Sequence, residues 1–313
     1  MKHLFILLCL FSFIDAHAQK KKNVYTLDIN DKVTTNKVDI AFYRIIEEPD
    51  SGSRYFKMTE FYPNKQIKRI GNLYSFEPFI VFGEGSVVSY FPGGKMKSSE
   101  YFSHGSLYKN AFYYYPNGKH KMTLNYFLKN QKLNFNTIQV SDTTSKNLLD
   151  KEGNGVVLIQ DFDGVETKGN YLKEFKTGIW TYENQTDGSI ITEVYKKGVL
   201  KNGENKTAEG ATLKYNYLQT KPSLKNNVEE DITKRLNDNI LVLLSKKIDK
   251  NGIVRIRFDL SELGEAINLE IIKSLSPASD QEAINLTKNR KWYSARFRGK
   301  PINTYNMIMD VKF

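Results

Sequence analysis

The sequence predicts a mainly β protein: an elongated array of antiparallel β-hairpins followed by a small α+β domain. Three observations carry this. Tyr and Phe are abundant, at 19 each among 313 residues, and aromatic side chains favour strands over helices. An aromatic pair, a Pro, two turn residues and a basic strand start recur as FYPNKQIK (61–68), YFPGGKMK (90–97) and YYPNGKHK (114–121). After about residue 220 the hydrophobic period changes from two to one of helical type.

The first element is a targeting segment. Lys2 and His3 precede an apolar run over 4–14, and Ala16-His17-Ala18 supplies the small-x-small pattern of a signal peptidase site. Cleavage is expected between Ala18 and Gln19. A membrane-spanning helix needs about 20 apolar residues, so a cleaved signal is the first expectation and an uncleaved anchor the second. Cys9, the only cysteine, lies inside the apolar run, so the mature chain is expected to carry no thiol and no disulfide. The net charge is +11, and Lys2 and Asp15 leave together, so cleavage does not change it. Such a charge attracts polyanions. For an exported chain these are phospholipid headgroups, lipopolysaccharide and acidic protein faces. The charges are spread along the whole chain, and no nucleic-acid partner is expected.

The array comes next. Pro63, Pro92 and Pro116 lie 29 and 24 residues apart, the mark of a repeat architecture. Gly93-Gly94 and Asn117-Gly118 suit the positive φ of tight hairpin turns. Lys65 does not, which predicts a distorted or longer first turn. After the third turn, Met122, Leu124, Tyr126 and Leu128 are expected on one face, and Lys121, Thr123, Asn125 and Lys129 on the other. The tyrosines at 113–115 then read as cross-strand packing rather than as a base-stacking platform.

A variant of the repeat follows in GNYLKEFKTGIWTYENQTDGSIITEVYKKGVLKNG (169–203). Its skeleton is Gly169, Tyr171, Gly178, Trp180, Tyr182, Gly188, Tyr195, Gly198 and Gly203. This resembles the MORN-like repeats of bacterial exported proteins, and the resemblance covers about residues 54 to 203. It implies stacked hairpins and supplies no catalytic residues.

The chemical inventory is nearly empty. Asp150, Glu152, Asn154 and Asp161 imitate a calcium loop, but a strand-like run follows directly and no helical period flanks them, so the segment reads as a Gly-rich turn. His104 and His120 are the histidines left after cleavage, too few for a standard zinc site. Asp161/Asp163 read as turn flanks and Glu229/Glu230 as a helix start. Neither a nucleophile motif nor a phosphate-binding Gly loop is present. The expectation is a protein that is not an enzyme, with no catalytic residue, no metal and no cofactor.

The last domain, 220–313, begins with a helix. Asn226 or Asn227 caps it, and Ile232, Leu236, Ile240 and Leu244 form its apolar stripe. A turn at DKNG (249–252) leads to a strand in which Val254, Ile256, Phe258 and Leu260 alternate with Arg255, Arg257 and Asp259. A partner strand over 267–272 follows. Ser279-x-x-Glu282 reads as a capping box opening a short helix to about Asn289. A last strand carries Tyr305, Met307, Met309, Val311 and Phe313 on one face.

With DKNGIVRIRF (249–258), IIKS (271–274), Ala283, KW (291–292), Ala295, GKPI (299–302) and Phe313, this unit resembles the TonB C-terminal domain. The resemblance implies periplasmic placement and capture of a segment of an outer-membrane protein by strand addition. The candidate edge is the final strand, with Asn303, Tyr305, Met307, Met309, Val311 and Phe313. Trp292 is expected in the core, and Arg296, Arg298 and Lys300 in a solvated loop. The transmembrane helix and Pro-rich spacer of energy transducers are missing.

The organisation predicted is a signal peptide (1–18), an N-terminal β segment (19–53), MORN-like repeats (54–210) and the TonB-like domain (220–313). The function predicted is a non-enzymatic periplasmic binding or scaffold protein with a protein partner in the envelope. Two alternatives stand beside it: a membrane-anchored TonB-type transducer for outer-membrane transport, and a repeat protein that touches lipid headgroups or other polyanions. Salt separates the last from strand capture, because screening weakens charge-driven attachment and barely affects strand pairing. The sequence sets no oligomeric state.

Overall fold

A computed structural model describes residues 20–76, 83–129, 132–160, 164–224 and 252–313. The signal segment with Ala18 and Gln19, the pair Asp161/Asp163 and the helix expected after Asn226 lie outside the described residues. What is described is mainly β.

The first sheet is a ten-stranded meander. It contains β1 (Lys22–Leu27), β2 (Phe42–Glu47), β3 (Phe56–Phe61), β4 (Ile67–Leu73), β5 (Gly85–Tyr90), β6 (Met96–Ser103), β7 (Ser106–Leu107), β8 (Lys109–Tyr114), β9 (His120–Lys129) and β10 (Lys132–Val140). Each strand pairs antiparallel with its neighbours in sequence, except that β7 forms a short ladder on β6 beside the β6–β8 pair. The N-terminal segment is continuous with the repeats, because β2 pairs β3 within this sheet.

The turns explain the repeat. In each, the amide of the aromatic residue before Pro bonds the carbonyl four positions on (Tyr62 to Gln66, Phe91 to Lys95, Tyr115 to Lys119, each 2.8 Å), and the amide of the third residue after the aromatic one bonds back. This is a three-residue loop closed by a residue in the left-handed region. In Gly93-Gly94 and Asn117-Gly118 only the second residue takes positive φ, so the turns are not two-residue ones. Lys65 takes the same place at φ 66, and its turn has the same hydrogen bonds as the others. The first turn is therefore not distorted; Lys65 absorbs the strain instead. A side chain there costs about 1 kcal/mol. Lys65→Gly is expected to raise stability by about 0.5–1 kcal/mol, and Gly118→Ala to lower it by about as much. Thermal melts of the two variants check both signs.

The turns also stack. The Tyr62 hydroxyl donates to the Tyr90 carbonyl (2.9 Å) and the Tyr115 hydroxyl to that of Ser141 (2.9 Å). Lys95 Nζ reaches the Asn117 carbonyl (2.9 Å), and Asn117 Nδ2 the Thr143 carbonyl (3.2 Å). The column thus has a fourth member, residues 142–146, with Ser145 at φ 82. It lacks the Pro and escaped the sequence pattern.

The faces of β9 depart from strict alternation. Thr123 is as buried as Leu124, while Leu128 is 65% exposed. Ser141, just past β10, stays beside β9, its amide donating to the Lys121 carbonyl (2.8 Å). There His120 sits between Ser141 Oγ (3.2 Å) and Thr123 Oγ1 (2.8 Å), and burial lowers its pKa.

The second sheet has six strands in sequence order: β11 (Gly155–Gln160), β12 (Val165–Leu172), β13 (Phe175–Asn184), β14 (Ile190–Lys196), β15 (Val199–Lys206) and β16 (Thr212–Tyr215). The turn between β12 and β13 places both Lys173 (φ 50) and Glu174 (φ 66) in the left-handed region. The Glu174 backbone is held from both sides, by the Thr137 amide (2.9 Å) and the Gly153 carbonyl (2.8 Å), and so ties the two sheets together. One core spans them: Tyr115, Val140 and Leu149 pack with Val157, Ile159, Tyr171, Trp180 and Tyr195.

The C-terminal unit follows: β17 (Gln219–Thr220), β18 (Ser223–Leu224), β19 (Ile253–Leu260), β20 (Ala266–Lys273), α1 (Pro277–Asn289), β21 (Trp292–Tyr293), β22 (Ala295–Phe297), β23 (Lys300–Ile302) and β24 (Thr304–Lys312). Val254, Ile256, Phe258 and Leu260 are fully buried beneath α1 with Ala283, Trp292 and Val311, as the alternation predicted. The helix starts earlier than expected. Ser276, not Ser279, is its N-cap, and its hydroxyl accepts from the Ser279 amide. Pro277 in the first turn fixes that start, since its missing N–H is no loss there. Asp259, which the alternation puts on the solvent face, is 3% exposed. Its carboxylate accepts from the Asn306 amide (3.0 Å), Asn268 Nδ2 (2.8 Å) and Lys32 Nζ (3.1 Å).

Candidate functional site

Two places gather the features that bear on function. The first is the sheet β20-β19-β24, in which β24 is an outer strand. Among the described residues β24 pairs only with β19, from Ile253↔Lys312 to Leu260↔Thr304. The six candidate edge residues divide in three ways. Met307, Met309, Val311 and Phe313 pack onto the core under α1. Tyr305 is half-buried on the same strand. Asn303 precedes the strand, and its Oδ1 accepts from the Glu262 amide at 2.8 Å. The face away from α1 carries Ile308, 54% exposed, and Asp310, gripped by Arg255 through Nε (2.6 Å) and Nη2 (2.8 Å). At φ 57, Asn306 interrupts the extended backbone, and Asp259 secures it there.

The second place is the inner face of the six-stranded sheet. Glycines and aromatic residues form a ladder across it: Val157↔Gly169 on β11–β12, then Trp180↔Glu193, Glu193↔Gly203 and Gly203↔Tyr215 on β13–β16. The glycines make room for rings. A Cβ on Gly169 would lie 2.1 Å from Trp180 Cδ2, and one on Gly203 would lie 2.3 Å from Tyr215 Cε2. Glu193, fully buried, stands in the middle of this ladder. Its Oε1 accepts from Tyr215 (2.8 Å) and Arg298 Nε (3.0 Å), its Oε2 from Tyr195 (3.0 Å) and Arg298 Nη2 (3.3 Å). Burial first, and the Glu193 carboxylate second, push the Tyr195 and Tyr215 phenols well above their ordinary range.

Arg298 corrects the expectation of a solvated loop. Its guanidinium lies 4.2 Å from the centre of the Tyr182 ring and is largely buried against Glu193. The residue begins the two-residue turn between β22 and β23, with Arg298 at φ 50 and Gly299 at φ 77. Its amide donates to the Leu218 carbonyl (2.7 Å), and its carbonyl accepts from Asn205 Nδ2 (3.3 Å). Arg296 donates from Nη1 to the Gly299 carbonyl (2.9 Å) and from its amide to Thr220 Oγ1 (3.2 Å), and Lys300 is exposed. Lys176 on β13 completes the cluster. Its Nζ donates to the Tyr182 hydroxyl (2.6 Å) and sits 4.2 Å from the Trp180 ring centre. Burial pulls its ammonium down to about 8, with Glu193 opposing and Arg298 adding to the shift.

Sequence reasoning did not find Glu193, Lys176 or Asp259. For Glu193 a signal exists: it stands at an inward position between Ile191 and Tyr195, where period two puts apolar residues. Trp292 is in the core as expected, 8% exposed and 5.7 Å from the Phe258 ring. The calcium-like loop is a turn, in which Asp150 Oδ1 accepts from the amides of Glu152 (3.0 Å) and Asn154 (2.8 Å). His104 is exposed beside Glu84. Among the described residues no group of three or more His, Cys, Asp or Glu side chains is placed to hold a metal ion, and no helix is long and apolar enough to cross a membrane. No family model matches the chain, and no curated protein matches it.

Proposed function

We propose that this chain is a non-enzymatic, exported binding and scaffolding protein, which captures an extended segment of an envelope protein by strand addition to its C-terminal sheet. The supporting observation is the outer position of β24. It has one neighbour among the described residues, while Met307, Met309 and Val311 anchor it to the core. An outer strand leaves a row of N–H and C=O groups unpaired, and an extended peptide completes them. Anchoring keeps the entropy cost of ordering on the peptide rather than on the edge. The array extends the same molecule as a long, basic, strand-built surface.

Site-specific photo-crosslinking in intact cells tests the reading, with the probe at Ile308 on β24 and a control probe at Leu263, which is 75% exposed on a turn. The expected result is one adduct at 308, mapped by mass spectrometry to an extended segment of an outer-membrane or envelope protein, and none at 263. Identical adducts at both positions, or none at 308, would sink the proposal.

A further inference from the structure

Between the two sheets lies a cavity of about 290 Å³, walled by β9 and β10 on one side and β11 to β13 on the other. Leu124, Val140, Val157 and Ile159 line it with the rings of Tyr171 and Trp180. Five of these six belong to the core shared by the sheets and the sixth, Leu124, is also buried, so the walls are preformed. Ligand pockets have this character: mostly apolar walls with few polar groups.

The charged residues of the lining are Lys121 and Lys176, and no carboxylate is among them. Lys176 faces Tyr171 across β12, Tyr182 on its own strand, Glu193 and Tyr195 on β14, and Arg298 from the β22–β23 turn; Lys121 comes from β9. Glu193 is already engaged by Arg298 and two phenols. An ammonium has three N–H donors. That of Lys176 donates to Tyr182 and lies over the Trp180, Tyr182 and Tyr195 rings, and no carboxylate is hydrogen-bonded to it among the described residues. The cavity therefore offers apolar contact and, at the same place, a positive charge with no carboxylate hydrogen-bonded to it. A cationic ligand is repelled there, and a sugar finds too few hydrogen-bond partners.

We propose that the cavity binds a single-chain anionic amphiphile of the medium-chain fatty-acid class, with its tail between the sheets and its carboxylate on Lys176. The tail gains by leaving water, and the carboxylate supplies the charge-assisted bonds that the ammonium lacks. This site is independent of strand capture at β24.

Calorimetric titration of the full chain with decanoate, decanol and decyltrimethylammonium, each below its aggregation threshold, tests the proposal. Saturable binding is expected for decanoate, weaker binding for decanol and none for the cation. Lys176→Met should weaken decanoate about tenfold or more and leave decanol unchanged. Raising the pH from 7 to 9 takes the wild-type amine through its value of about 8, so decanoate affinity should fall and decanol affinity should not. The pH series uses the unaltered protein and decides the matter if the variant fails to fold. Equal affinity for decanoate and decanol, or no saturable binding of decanoate, would overturn the proposal.

Discussion

Replacing Glu60 with Ala should destabilise the first sheet by about 3–5 kcal/mol, the cost of leaving buried charges without their counter-ion. Glu60 is fully buried on β3, and three cations converge on it. Arg44 donates from Nε (2.8 Å) and Nη2 (2.6 Å), Lys68 from Nζ (3.0 Å), and Arg69 from Nε (2.9 Å) and Nη2 (2.9 Å). Asp31, at 2.6 Å from Arg44, offers a second negative charge. Amide hydrogen exchange across β2, β3 and β4 reads the loss, and a change of about a hundredfold or more is expected there. Unchanged protection of these strands would contradict the account.

The same carboxylate makes a pH prediction. Burial alone would raise the Glu60 pKa, but Arg69, Arg44 and Lys68 overcome it and hold the group below the ordinary 4.5. A folded-state value lower than the unfolded one contributes stability that is present above pH 4.5 and is lost as the pH falls through the folded value. Glu60→Gln should flatten this acid limb while lowering stability near neutrality.

The second large effect is expected at Arg298. Arg298→Ala leaves Glu193 buried with two phenols and no hydrogen-bonded cation, and it removes the side chain that seats the C-terminal unit against the six-stranded sheet. Breaking a desolvated pair of this kind costs about 2–5 kcal/mol. Arg298→Lys should restore only part of it. An ammonium cannot engage both carboxylate oxygens as a planar fork and stack on the Tyr182 ring. Limited proteolysis near Tyr217, 72% exposed on the connection between the two parts, should accelerate in the order Arg, Lys, Ala. Equal rates for the three chains would show that Arg298 does not hold the parts together.

The mainly β fold was legible because its signals are local. Period-two alternation, aromatic content and turn residues act within a few positions, and they specify a meander of hairpins. The turn type was less legible. Lys65 shows that a strained residue is tolerated where its neighbours fix the loop, and residues 142–146 show that a turn can join the column without its Pro. The division into two sheets left no trace in the periodicity, because two consecutive turns, at 142–146 and 150–154, separate β10 from β11. Arg298 read as a loop residue because its partner is 105 positions away. Nothing near residue 298 encodes a socket built from β13, β14 and β16. Glu60 and Glu193 could have been suspected, since each is an acid at an inward position of an alternating strand.

The order of the strands has a consequence for how the chain assembles. In both large sheets the pairs are almost all between sequence neighbours. Each new hairpin closes a short loop on a strand already in place, at small entropic cost. Contacts of this kind form fast, so the array can grow from its N-terminal end as the polypeptide emerges. The C-terminal unit obeys another rule. β17 waits for β22, β18 for β21 and β19 for β24, and Lys32 waits for Asp259. These pairs close only once β21, β22 and β24 have been made, so the C-terminal unit forms later than the hairpins of the array.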